Sequence, residues 1–372
     1  MRIPVYSRFI VTTAWVFCAV GLSSIARAAI PASERAALVA IYNQAHGNGW
    51  LDNEGWCVGA CPTDESVPEF AAVGTECVGN HPSYPGWYGV VCDPDGTHVV
   101  SIVLRGKNLV GTLADLSAFT QLTSFYVDYN QLSGPLPDIA SLQHLESVVM
   151  SANAFSGATP SLAGLASLVQ FTADRNAFDT LTPVSGLPAL TYFDVSFNQL
   201  AGSVPALVGL PSLIEYSINS NHLSGSIPDF SGAPALRYIN MSDNHLNGQL
   251  PSIRDMHDLT VFAASNNHLT GRLPDIHGMV GLSFDVHDNM LIGSLPDVSG
   301  GVMSIDVENN RITGSLPSAG ALAPGSSAIC PNPLDTTPGP YDAAWAQILG
   351  RTPWWDGPRG CNTIFADFFD ER

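Results

Sequence analysis

An asparagine returns every 21 to 23 residues through most of this chain, as Asn130, Asn153, Asn176, Asn198, Asn221, Asn244, Asn267, Asn289 and Asn310, with Lys107 one period earlier. Two further registers run beside it. Gly follows four residues later, as in Gly134, Gly157 and Gly202, and Pro seven residues later, as in Pro137, Pro160 and Pro183. Self-similarity at such a period means one supersecondary unit stacked many times, because a single unit cannot bury its own apolar side.

The segment Leu122 to Pro137 shows what one unit must do. Leu122, Phe125 and Val127 are apolar, and they end in the period-2 alternation of a short strand. Asn130 follows at the turn, where buried backbone groups need partners that its amide supplies on both sides. Gly134 permits a backbone that a β-carbon would block, and Pro137 gives up a donor where no ladder needs one. Stacked strands should form a parallel sheet along one face, ten of them giving an arc of roughly 43 Å at about 4.8 Å per strand.

The pattern L-x-x-L-x-L-x-x-N-x-L-x-G-x-[LIV]-P, running from about Val99 to Pro317, resembles the plant-type leucine-rich repeat. Departures are few: Lys107 stands for Asn, Ala114 for the first Pro and Thr180 for a Gly. The resemblance implies a right-handed, curved solenoid. Its parallel sheet lies on the concave face, with short strands or 3-10 turns on the convex one, and disulfide-closed caps end it. An amphipathic helix from Ser33 to Ala45, then Trp50, Trp56 and the run Gly86 to Cys92, looks like the N-terminal cap of that family. The expected organisation is a leader over 1–28, a cap over 29–98, about ten repeats over 99–317 and a second cap over 318–372.

Arg2 and Arg8, an apolar run from Ile10 to Leu22, and Ala26-Arg27-Ala28 have the layout of a cleaved secretory signal. Cys18 leaves with it. Cys57, Cys61, Cys77, Cys92, Cys330 and Cys361 remain, an even number that reads as disulfides in an exported protein. Cys330 and Cys361 should close the far end. Three pairings are open among the first four. After Pro317 the rhythm stops, and a helix from Tyr341 to Leu349 with Trp345, Trp354 and Trp355 is expected to seal the last coil. The role of the tail Ile364 to Arg372 is open.

Polar positions alternating with the apolar ones should face the groove. The candidate ligand-binding set is Tyr126, Asp128, Tyr129, Tyr192, Asp194, Glu215, Tyr238, Asp285, Asp306 and Glu308, joined by Asp174, Phe197, Asp243 and Asp288. Basic residues there are few: Arg105, Arg175 and Arg311. Tyrosine offers rigid contact area at low entropic cost, and the acids would select cationic or hydroxyl-rich ligands. The bland alternative is a set of solvated strand faces. With 14 Lys+Arg against 33 Asp+Glu, a net charge of −19 argues against nucleic acid and against anionic membrane surfaces.

No catalytic constellation stands out. The carboxylates invite a glycosidase reading, yet neighbouring acids on a repeating surface arise without one. His222, His245 and His268 directly follow their repeat asparagines and, with His287, could meet Asp243 or Asp288 at a metal, but the slot is an exposed turn where polar residues recur. No metal, cofactor or catalytic residue is therefore assigned. The expectation is a secreted, non-catalytic recognition module for a protein, peptide or polysaccharide, without membrane insertion. The resemblance extends to ectodomains of plant receptors and to polygalacturonase-inhibiting proteins, so inhibition of a secreted wall hydrolase is the alternative, with a surface structural or adhesin role beside it.

Overall fold

The structure, a computed structural model, describes residues 29–64, 66–77, 80–81, 84–356 and 361. The leader and the tail from Ile364 lie outside the described residues. Each repeat contributes one strand to an 11-stranded inner sheet that runs from Val99–Val103 through Ser124–Tyr126 to Ser304–Asp306. All these strands pair in parallel, and Val90–Cys92 adds an antiparallel edge at the N-terminal end. The alternation read in the sequence is what positions them: Phe125 is buried between half-buried Ser124 and Tyr126. Its register partners are Ile102 and Val148, so identical positions form columns across the sheet. Aromatic members of that column stack, with Phe171, Phe193 and Tyr216 spaced 5.7 Å between ring centroids and Phe262 and Phe284 spaced 5.4 Å. Such pairs add to the gain from burying the rings.

Short strands outside the inner sheet were expected, and they do more than occur singly. The segments after each asparagine, from Val110–Thr112 to His268–Thr270, line up as a continuous parallel sheet of 8 strands. The remaining side of each coil is built from turns. Leu142 and Leu145 donate backbone hydrogen bonds to Ile139 and Leu142, three residues back. Asp115, Asp138, Asp229, Asp275 and Asp297 each accept the amide of the residue two positions on, at 2.8–3.0 Å. These acids therefore shape turns away from the groove.

The asparagines form the spine. Asn244 Oδ1 accepts the Leu223 amide at 2.9 Å, and its Nδ2 donates to the carbonyls of Ile218, Met241 and Ser242 at 3.1–3.2 Å. Each rung thus ties its own coil to the one before. The ladder goes one rung past the last repeat asparagine expected from sequence. Asn332 is fully buried, accepts from Ile312 at 3.0 Å and donates to Val307 at 2.7 Å.

The residue before each repeat position from Lys107 to Asn310 is left-handed: Gly106, Tyr129, Ala152, Arg175, Phe197, Ser220, Asp243, Asn266, Asp288 and Asn309 all have φ between 52° and 59°. Only Gly, Asn and Asp adopt this region readily. Ala152→Gly, at φ 54°, is accordingly expected to stabilise the protein by about 0.5–1 kcal/mol, read as a higher urea midpoint at unchanged m-value. A lower midpoint would refute the strain argument at this position.

Both ends are closed. The helix Ala32–Gln44 buries Leu38, Ile41 and Tyr42, and its Glu34 accepts the Val99 amide at 2.8 Å while pairing with His98 Nδ1 at 2.7 Å. Arg35 is ion-paired with Glu76 and lies over Trp87. Trp50, Trp56 and Trp87 fill the space beneath. Disulfides join Cys57 to Cys61 and Cys77 to Cys92, which resolves the open pairing, and Cys330 to Cys361 at the far end. There the helix Asp342–Leu349 presses Trp345 onto the last coil, where its Nε1 donates to Pro317 at 2.9 Å. Trp354 is buried beside it, and Trp355 is partly buried.

Candidate functional site

Four ladders of outward positions run across the inner sheet: the first and third residues of each strand, the residue two places beyond, and the left-handed residue after it. Their chemistry changes along the solenoid. In the early coils it is aromatic. Tyr129 (62% exposed), Tyr192 (45%) and Phe197 (49%) stand out of the surface, with Tyr126 half-buried. Arg105 lies over the Tyr129 ring at 5.8 Å and Arg175 over Phe197 at 5.1 Å. Each arginine is also ion-paired, Arg105 Nε to Asp128 Oδ2 at 2.5 Å and Arg175 to Asp174 at 2.8 Å. Asp128 is fully buried, so it is not open to a ligand as the sequence suggested. It anchors the arginine that covers the tyrosine. Arg311 begins the strand Arg311–Ile312, outside the inner sheet.

The middle coils bring Tyr192 opposite Glu215, and Glu215 opposite Tyr238. Burial pushes the Asp194 carboxyl above its usual range, with the charge of Asp174 adding to it. Burial likewise raises Glu215, with Asp194 next in effect. Beyond them the floor is small and neutral: Ser196, Ser217, Asn219, Asn240, Ser242, Ala263 and Ser265. Asn240 Oδ1 holds the Ser242 amide at 3.1 Å, as Asp194 Oδ1 holds that of Ser196 at 2.9 Å. The carboxyl or amide at the third strand position is therefore oriented by its own backbone through one oxygen.

The last coils are acidic. Asp285 and Asp306 face each other on paired strands, and His287 Nδ1 lies 2.6 Å from Asp285 Oδ1. Asp288 Oδ2 is 3.6 Å from His287 Nε2. The hydrogen bond to Asp285, then the charges of Asp285, Asp306 and Asp288, raise the imidazole to about 9. Burial pushes the Asp306 carboxyl up to about 6. Glu308 occupies the same ladder position as His287, one coil on, and its amide lies 3.3 Å from Asp306 Oδ1. Sequence reading assigned no ligand role to His287. Its signal was present all the same: it is a histidine at a ladder position where Ser151, Ser196, Ser242 and Ser265 stand in other coils.

His222, His245 and His268 belong to the second sheet, at the exposed start of successive strands. Their rings stack with centroids 5.8 Å apart. His245 and His268 line a recess with Asp243, Asn266 and Asp288 whose volume is near 560 Å³. This separation keeps two rings from a single ion as they stand.

A family model described as Leucine Rich Repeat matches residues 235–254. Among curated proteins, none matches the sequence. Among solved structures, the plant peptide hormone receptor RGFR1 in complex with RGF2 is 27% identical, with a TM-score of 0.53, over 59% of this chain and 38% of that one. The PEPR1–AtPEP1 structure is 20% identical with a TM-score of 0.64, over 81% of this chain and 42% of that one. A plant ice-binding protein is 19% identical with a TM-score of 0.59, over 84% of this chain and 100% of that one. The chain thus spans about two fifths of the two plant chains it is first compared with. Among the described residues, no helix is long and apolar enough to cross a membrane.

Proposed function

From the premise that this chain is a leucine-rich-repeat solenoid of the plant type, we propose that it is an exported, non-catalytic recognition module that binds an extended peptide or protein segment along its inner, concave sheet. The observation that carries this reading is the polarity of the ladders. Exposed aromatic rings held by arginines give way, over a small neutral floor, to a group of carboxylates. From the strand of Asp194 to that of Asp285 there are four strand spacings, about 19 Å. An extended chain covers that with about six residues. The fitting partner carries an apolar or aromatic anchor at one end and cationic groups at the other. The likeness to a peptide hormone receptor, itself in complex with RGF2, supports a peptide over a polysaccharide. Three disulfides support an oxidising, extracellular setting.

The test is capture from surface extracts, with the Tyr126→Ala/Tyr192→Ala/Tyr238→Ala variant beside the wild type. Interface tyrosines cost about 1–2 kcal/mol each on truncation, so a partner seated on the groove should lose at least about 100-fold in affinity. A hydrolase inhibited at stoichiometric protein would identify the partner class. Equal affinity for the triple variant, with its circular dichroism unchanged, would overturn groove recognition.

A further inference from the structure

We propose that Asp285, His287 and Asp306 hold a divalent transition-metal ion at the C-terminal end of the inner sheet. One ligand atom from each residue can be chosen so that all three lie within 4.8 Å of one another. Bonds of about 2.0–2.2 Å to one ion require donor atoms about 3–4.4 Å apart, so the widest pair must close by a few tenths of an ångström, and the 2.6 Å hydrogen bond between His287 and Asp285 must open, its proton released to solvent as the ion binds. The scaffold supplies the positions. Asp285 and Asp306 are register partners on the parallel strands Ser283–Asp285 and Ser304–Asp306, and His287 lies two residues beyond Asp285 on the same face. One imidazole nitrogen with two carboxylate oxygens suits zinc, manganese, cobalt or nickel better than calcium or magnesium, which prefer oxygen throughout.

The repeats provide an internal control. At the third strand position the other coils carry Val103, Tyr126, Val149, Thr172, Asp194, Ser217, Asn240 and Ala263, so acids stand on adjacent strands only at Asp285 and Asp306. The histidine of the next ladder falls in that same pair of coils. Two independent departures from the repeat therefore converge on one spot. Asp288, 3.6 Å from His287 Nε2, adds negative charge, and it also lines the recess of about 560 Å³ shared with His245 and His268. A ligand-sized space thus adjoins the site, and coordination positions not taken by protein would be open to solvent or to a ligand group.

The experiment uses the full, untagged chain stripped with EDTA. Zn²⁺ is titrated calorimetrically, and Co²⁺ is followed by its visible absorption. One ion per chain is expected, with a ligand-field band for Co²⁺. His287→Ala and Asp285→Asn/Asp306→Asn should each weaken binding at least about tenfold and remove the band. Both variants should keep wild-type circular dichroism in EDTA, which separates loss of the site from loss of fold. His245→Ala/His268→Ala and the groove-tyrosine variant should bind as wild type, so this result is independent of the peptide reading. The proposal falls if the wild type shows no saturable binding, if His287→Ala binds undiminished, or if the His245/His268 variant is the one that loses the ion.

Discussion

Replacing Asn244 with alanine is expected to cost about 3–5 kcal/mol, measured by urea denaturation at 25 °C. The Leu223 amide and the Ile218 and Met241 carbonyls all lose their partner in a place that is 4% exposed. Each buried polar group left unpaired costs about 1–3 kcal/mol, less where water can enter. Asn153, half-buried near the other end, makes the same kinds of bond to Leu132, Val127 and Met150. Its alanine variant should lose about half as much, because water reaches the orphaned groups. The central substitution should also split the unfolding curve or lower its m-value, since contacts pass only between neighbouring coils. A loss below about 1 kcal/mol for Asn244→Ala would mean the side-chain ladder is not what joins the coils.

Trp345→Ala is the second large effect, and it should be local. The indole is fully buried, and its Nε1–H meets the Pro317 carbonyl. Removing a buried tryptophan costs about 3–5 kcal/mol, here at the end of an array where no further coil takes up the exposed face. Hydrogen exchange should rise in the coils after about residue 290 while those before 200 keep wild-type protection. Limited proteolysis should cut first between the last repeat and the helix Asp342–Leu349. Protection lost evenly along the chain would contradict the picture of a cap that holds only its neighbours.

The repeat positions carried most of the fold because each conserves a physical necessity: a buried column, an amide-bearing rung, a glycine turn. What escaped sequence reading has equally physical reasons. The left-handed residue before each rung is Tyr129, Ala152, Phe197 or Asp288 by turns, so the conformation leaves no uniform residue behind. Asn332 sits in a proline-flanked segment between Cys330 and Asp335 that breaks the surrounding pattern, and only its bonds to Ile312 and Val307 reveal the rung. The groove list included Asp128 because alternation places it outward, yet Arg105 folds over it and seals it. Sequence grouped His287 with the regular histidines at 222, 245 and 268 and with Asp243 or Asp288, yet those three belong to another sheet, and its neighbours are Asp285 and Asp306. Departures from the repeat, more than the repeat itself, point to the proposed metal site.

Two parallel sheets and an amide spine share one coil spacing, so neither face can lengthen without straining the others. The groove is therefore a stiff template with little freedom to adapt. The segment proposed to bind there would have to do the conforming, and the entropy of straightening it would fall on that segment alone. Short or prestiffened segments should thus outcompete floppy ones of the same composition, and selectivity would come from how cheaply a chain can be held extended.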